Sequence, residues 1–141
     1  MTFFLNSIEK KEWSTQLKKI GIEQKWFISI FHEPKNEFYS VEILSRSGER
    51  IQIGACTFSK INTETDCSIF IFPEHRRKGF ATQLIVELTA IYENIQFTVS
   101  TYNTISLRLF DAIPLLKNSE SNRKNKTCTF TKKTTNYACY Q

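Results

Sequence analysis

Glycine is scarce in this chain, with 4 residues in 141. Each one therefore marks a place where the backbone needs a tight turn or a close approach. Long apolar runs are missing too: none comes near the roughly 20 residues of a membrane span. The short N-terminal piece Phe3-Phe4-Leu5 is followed by Glu9, Lys10 and Lys11, without the basic and apolar regions of a secretion signal. A soluble, cytoplasmic protein with no membrane partner is expected. The cysteines Cys56, Cys67, Cys128 and Cys139 form no C-x-x-C pair, and His32 and His75 complete no zinc pattern. No metal is expected. The cysteines read as buried free thiols in a reducing compartment.

A fold-sized apolar content is present. The chain is 40% hydrophobic and carries 12 phenylalanines, enough for one core without staples. A chain of this length buries roughly two thirds of its unfolded surface. Residues 1–141 read as a single domain. The formal charge of +5 suits an anionic ligand or partner. The excess is uneven: Lys117, Arg123, Lys124, Lys126, Lys132 and Lys133 stand against Glu120 alone. That stretch is either a solvated loop or an attractor for phosphates. No nucleic-acid motif accompanies it, so nucleic acid is not the expected partner.

Asn6 with Glu9 gives a capping pattern, and Trp13, Leu17 and Ile20 follow at helical spacing. A helix is expected over 7–20. Short strands follow: Trp26 to Phe31, Phe38 to Leu44 with Tyr39, Val41 and Ile43 on one face, and Arg50 to Phe58. In the last of these, Ile51, Ile53, Ala55 and Thr57 should share a face. Cys67 to Phe72 is almost continuously apolar, as in a strand covered on both sides. After Gly79 a helix is expected, with Phe80, Leu84, Leu88 and Ile91 on its buried stripe. Ile95 to Ser100 is a strand. Asn103 to Ala112 is a second helix, which Pro114 ends. A polar loop over 118–126 and two short strands, around 127–131 and 136–140, close the chain. This is an α/β arrangement on one mixed sheet.

The informative segment is Pro73-Glu74-His75-Arg76-Arg77-Lys78-Gly79-Phe80-Ala81-Thr82. A buried strand runs into a basic turn with one glycine, and the turn opens a strong helix. The first backbone N–H groups of a helix have no partners within it. They meet whatever lies beyond its end, where the helix dipole favours negative charge. Gly79 and the small Ala81 let an anion come close to the main chain. Arg76, Arg77 and Lys78 add full charges there.

Arg76-x-x-Gly79-x-Ala81, after a strand and before a helix, resembles the pyrophosphate turn of the GCN5-related N-acetyltransferases. Pro73-Glu74-x-Arg76 upstream fits the same family. So does Asn103-x-x-Ser106-x-x-Leu109-Phe110 downstream, and Gly54 agrees more weakly. The resemblance covers about residues 50–115. It implies a mixed, mostly antiparallel sheet whose two central parallel strands splay apart between flanking helices. It further implies that acetyl-coenzyme A lies in that split as co-substrate. Main chain at Ile69 and Ile71 would hold the pantetheine arm, Lys78 to Thr82 the pyrophosphate, and Asn103 another part of the coenzyme. An amine acceptor of a small molecule, peptide or protein would attack the thioester directly. The aromatic N-terminal half would pack the core or form a homodimer face.

The chain departs from the family at Phe110, where many members have a tyrosine that protonates the leaving thiolate. Tyr102, Ser106 or water would have to substitute. The base position falls near Thr65, beside Glu64 and Asp66, and Asp66 is the candidate base. Cys67 would matter only in a two-step route, which direct transfer does not need. The competing reading is a catalytically weak or inactive module of the same fold that still binds acyl-coenzyme A.

Overall fold

The computed structural model describes residues 2–9, 12, 15, 37–61, 63–124 and 126–133. Among these residues, seven strands are formed: β1 (Phe3–Ser7), β2 (Glu37–Leu44), β3 (Arg50–Ile61), β4 (Glu64–Ile71), β5 (Ile95–Ser100), β6 (Leu116–Asn122) and β7 (Thr127–Lys132). Two helices, α1 (Phe80–Ile91) and α2 (Thr104–Asp111), follow β4 and β5 respectively. The strands form one sheet in the order β1-β2-β3-β4-β5-β7-β6. Every neighbouring pair is antiparallel except β4 and β5, which are parallel.

The strands divide their side chains between two faces, as their period of two requires. Val41, Cys67, Ile71, Phe97, Val99 and Phe130 point to one face and join the main core. Helix α1 adds Phe80, Leu84, Ile85 and Leu88 to that core, and Phe110 of α2 and Ile113 just beyond it also join. Burying such side chains contributes about 1.5–3 kcal/mol each. That outweighs the few tenths of a kcal/mol that Ile85, Val86 and Thr89 each cost in helix propensity. Packing, more than intrinsic preference, holds α1. The opposite face carries a smaller cluster of Ile8, Phe38, Ala55, Phe70 and Phe72.

Several expectations need correction. Asn6 does not open a helix; it lies in β1, opposite Ser40, and its side chain donates to Glu42 Oε2 at 2.7 Å. The body of the helix expected over 7–20, the strand at Trp26–Phe31 and the strand at 136–140 lie outside the described residues. In β3 the side-chain alternation changes phase. Val41 pairs with Gly54 but Glu42 with Gln52, so Ile53 is an extra, bulged residue. Ile53 thereby shares the main core with Cys56 and Phe58, while Ala55 faces the other way. Gly54 follows the bulge, and a Cβ there would collide with the Phe70 carbonyl oxygen. Ile91 is 72% exposed, and the fully buried Thr89 donates to the Ile85 carbonyl within α1. The expected polar loop after Pro114 is mostly strand β6, an edge strand buried only at Leu116. Charged and polar side chains along such an edge discourage pairing with other chains.

Candidate active site

The parallel pair β4–β5 is short. Only Thr65–Ile95, Asp66–Gln96 and Cys67–Phe97 are matched, although β4 continues to Ile71 and β5 to Ser100. Beyond the third rung the strands part and leave a fork open toward their C-terminal ends. Two hydrogen bonds fix which residues face it. Phe72 N donates to Ile53 O on the β3 side at 2.8 Å, and Thr65 N donates to Asn94 O on the β5 side at 2.7 Å. Successive residues of a strand present their N–H and C=O to opposite neighbours. Odd-numbered β4 residues therefore turn their main chain toward β5, which puts Ile69 and Ile71 on the fork.

The basic turn stands at the mouth of this fork. Pro73–His75 make a single 3-10 turn. Arg76 then folds back: its Nε donates to the Ile71 carbonyl at 2.8 Å, and its guanidinium lies 5.1 Å from the Phe70 ring centroid. Arg76 thus ties the turn to the end of β4. Arg77 and Lys78 are exposed. Arg77 (φ 63°) and Gly79 (φ 79°) both take left-handed backbone. Nothing lies within 4 Å of where a Gly79 Cβ would be, so the dihedral, more than crowding, calls for glycine. Gly79 caps α1 without a side chain, and Gln83 N makes the first bond of the helix, to Gly79 O at 3.1 Å. The amides of Phe80, Ala81 and Thr82 precede that bond, at the exposed helix end. The Phe80 ring itself is buried in the core, Ala81 packs partly against it, and Thr82 is exposed.

The second helix starts differently. Asn103 caps α2, and its Oδ1 accepts from Ser106 N at 3.1 Å. Tyr102 is 72% exposed, and its hydroxyl accepts from Lys126 Nζ at 2.6 Å. That hydroxyl is committed to the rim beside the β6–β7 turn. There Thr101, Arg123, Lys126 and Thr127 help to line an open cleft of ≈ 280 Å³. Phe110 is buried, with ring centroids 5.2 Å from both Phe97 and Phe130. It is a core aromatic, as its helical position allows.

The sheet face opposite the main core turns polar at the fork. Asp66 Oδ1 accepts from Thr98 Oγ1 at 2.9 Å and from Gln96 Nε2 at 3.2 Å. Burial pushes the Asp66 carboxyl above its ordinary range, while the bonds from Thr98 and Gln96 pull the other way. Cys67, one residue on, points into the core. Burial, with Cys56 and Asp66 nearby, drives its thiol well above the usual range. A thiol so held is no nucleophile at neutral pH. The partners of Asp66 were missed in the sequence. The signal for them was the alternation of Gln96, Thr98 and Ser100 with the apolar Ile95, Phe97 and Val99.

The Acetyltransferase (GNAT) family model matches residues 4–113, and the chain belongs to that family. Solved structures share the fold at low identity. A domain from Methanocaldococcus jannaschii DSM 2661 superposes with a TM-score of 0.65 at 11% identity, covering 92% of this chain and 97% of its own. A GNAT-family acetyltransferase from Bacillus anthracis gives 0.61 at 18%, covering 93% and 94%. The PaiA N-acetyltransferase from Thermoplasma acidophilum, solved in complex with coenzyme A, gives 0.59 at 12%, covering 95% and 100%. No curated protein matches the chain. Among the described residues, no helix is long and apolar enough to cross a membrane.

Proposed function

We propose that this protein is an acetyl-coenzyme A-dependent N-acetyltransferase that passes the acetyl group directly to a primary amine. The observation that carries this reading is the fork between β4 and β5, with an uncapped helix end and exposed cations at its mouth. The open space before Gly79 fits a phosphate group approaching the main chain. Amides over Lys78–Thr82 would hold the pyrophosphate, with Arg77 and Lys78 supplying charge. Arg76 would act by holding the turn against Ile71. Main chain at Ile69 and Ile71 would hold the pantetheine arm, although the Ile71 carbonyl already accepts from Arg76. Asn103 has its Nδ2 to offer the coenzyme. When bound, the coenzyme supplies an activated acetyl thioester. The chain's part is to position the amine and remove its proton.

Asp66 is the proposed base. Both of its donors land on Oδ1, which leaves Oδ2 to take a proton, directly or through a water. Its raised proton affinity brings it closer to neutrality, where a base works best. Tyr102 as the acid is poorly supported by its exposure and its bond to Lys126. The acceptor is a primary amine of a small molecule, peptide or protein. One domain, cytoplasmic, completes the reading.

Thiol release from acetyl-coenzyme A with a panel of primary amines tests it. Wild-type rates should rise with pH through the raised Asp66 value. Asp66→Asn keeps the acceptor for Thr98 and should lower the rate by roughly 100-fold or more. Stability moves the opposite way. The folded state binds the Asp66 proton more tightly than the unfolded state, so this group's contribution to stability declines as pH rises from the ordinary carboxylate value through the raised one. Asp66→Asn should therefore be more stable than wild type at neutral pH. An unchanged rate and pH profile in the variant would remove Asp66 from the chemistry. Phe110, wedged between two rings with no hydroxyl to give, favours one other reading: a module that binds acyl-coenzyme A without turnover. Binding without thiol release from any amine would select it.

A further inference from the structure

Ser68 is the first β4 residue beyond the last rung shared with β5. Alternation puts its side chain on the face of Asp66, away from the core that holds Cys67. Ser68 is only 4% exposed, and its Oγ has no hydrogen-bond partner. It is the one buried side-chain polar atom in that condition among the described residues. Other hydroxyls of the chain are satisfied nearby: Thr89 by the Ile85 carbonyl, Thr98 by Asp66, Ser40 by Glu42. An unpaired buried hydroxyl is expensive, and alanine would fill the same place without the penalty.

We infer that the Ser68 hydroxyl contacts the ligand, donating its hydrogen bond to the thioester carbonyl oxygen of acetyl-coenzyme A. This rests on the coenzyme reading above. With the pyrophosphate at the mouth and the pantetheine arm along Ile71 and Ile69, the acyl end would reach deepest into the fork. The deepest point of the fork is the rung Cys67–Phe97, and Ser68 is the next residue along. A thioester carbonyl is an acceptor that the free thiol of coenzyme A lacks. Ser68 therefore separates the loaded coenzyme from the spent one. The same oxygen gains negative charge as an amine adds to the carbonyl, so the bond strengthens where it helps the reaction.

Calorimetric titration of the full chain with coenzyme A and with acetyl-coenzyme A tests this without knowing the acceptor. The wild type should bind acetyl-coenzyme A about 3- to 10-fold more tightly than coenzyme A, the worth of one hydrogen bond. In Ser68→Ala the ratio should fall to about one, with coenzyme A affinity unchanged and the ligand-free melting temperature raised. Ser68→Thr keeps the hydroxyl and should keep the preference. A wild-type preference that survives in Ser68→Ala overturns the inference while leaving the coenzyme reading intact. So does a wild type that binds both ligands equally. If neither ligand binds the wild type, the coenzyme reading falls and takes this inference with it.

Discussion

The two helices start at the same end of the sheet, one after each strand of the parallel pair, yet their first turns are finished in opposite ways. Helix α2 closes its own end, with Asn103 Oδ1 accepting from Ser106 N. Helix α1 begins at a glycine with no side chain to offer, among left-handed residues and exposed cations. A chain able to cap one helix with its own asparagine could cap the other. Leaving α1 open keeps its amides and dipole for an anion. On the proposed reading, the contrast separates a helix end that serves the fold from one that would serve a ligand.

The largest test of that contrast is Gly79→Asp. Aspartate tolerates left-handed backbone better than most residues, so the fold should survive. A carboxylate at the mouth should lower acetyl-coenzyme A affinity by roughly 100-fold, as a like charge near a partly buried phosphate would. Calorimetry reads this directly, and unchanged affinity would erase the distinction between the two ends. Asn103→Ala should show a smaller effect of the other kind. It should lose about 1 kcal/mol of stability in a urea melt, the worth of a cap. Its coenzyme affinity should drop only about 3-fold, the loss of one hydrogen bond from Nδ2. Asn103→Asp keeps the capping oxygen and should recover the stability alone. An affinity loss at Asn103 as large as at Gly79 would break the comparison. The smallest effect belongs to Arg77→Gly. Releasing the left-handed arginine should raise stability by about 0.5–1 kcal/mol. Affinity should fall about 2-fold at low salt and less at high salt, since the lost charge is exposed.

The basic turn could be read from sequence because its chemistry is local. One glycine, three cations and the start of an apolar stripe sit within a few residues. The strand–helix order from Arg50 to Asp111 was legible for the same reason. What failed was set by distant partners. The bulge at Ile53 exists in relation to Val41 and Glu42, and no period within β3 announces it. Strand β6 looks like a loop because an edge strand can be polar on both faces. Asp66 was found as a lone carboxylate, but its donors Gln96 and Thr98 come from β5, about thirty positions away. The second helix was expected to begin at Asn103 itself, whereas Asn103 is its cap, a place that asparagine favours. Arg76 gave no sign that it would turn back onto the Ile71 carbonyl.

With only three rungs joining β4 to β5, the sheet is in effect two slabs, one of four strands and one of three, stitched at a single short seam. A molecule lying along the open part of that seam would act as the absent rungs. Amide protons of Ile69 and Ile71 should then exchange quickly in the empty protein and slow sharply on filling, whereas those inside β2 and β3 should barely respond. On this view the ligand is also mortar, filling a gap that the shared core on one face leaves open between the halves of the sheet.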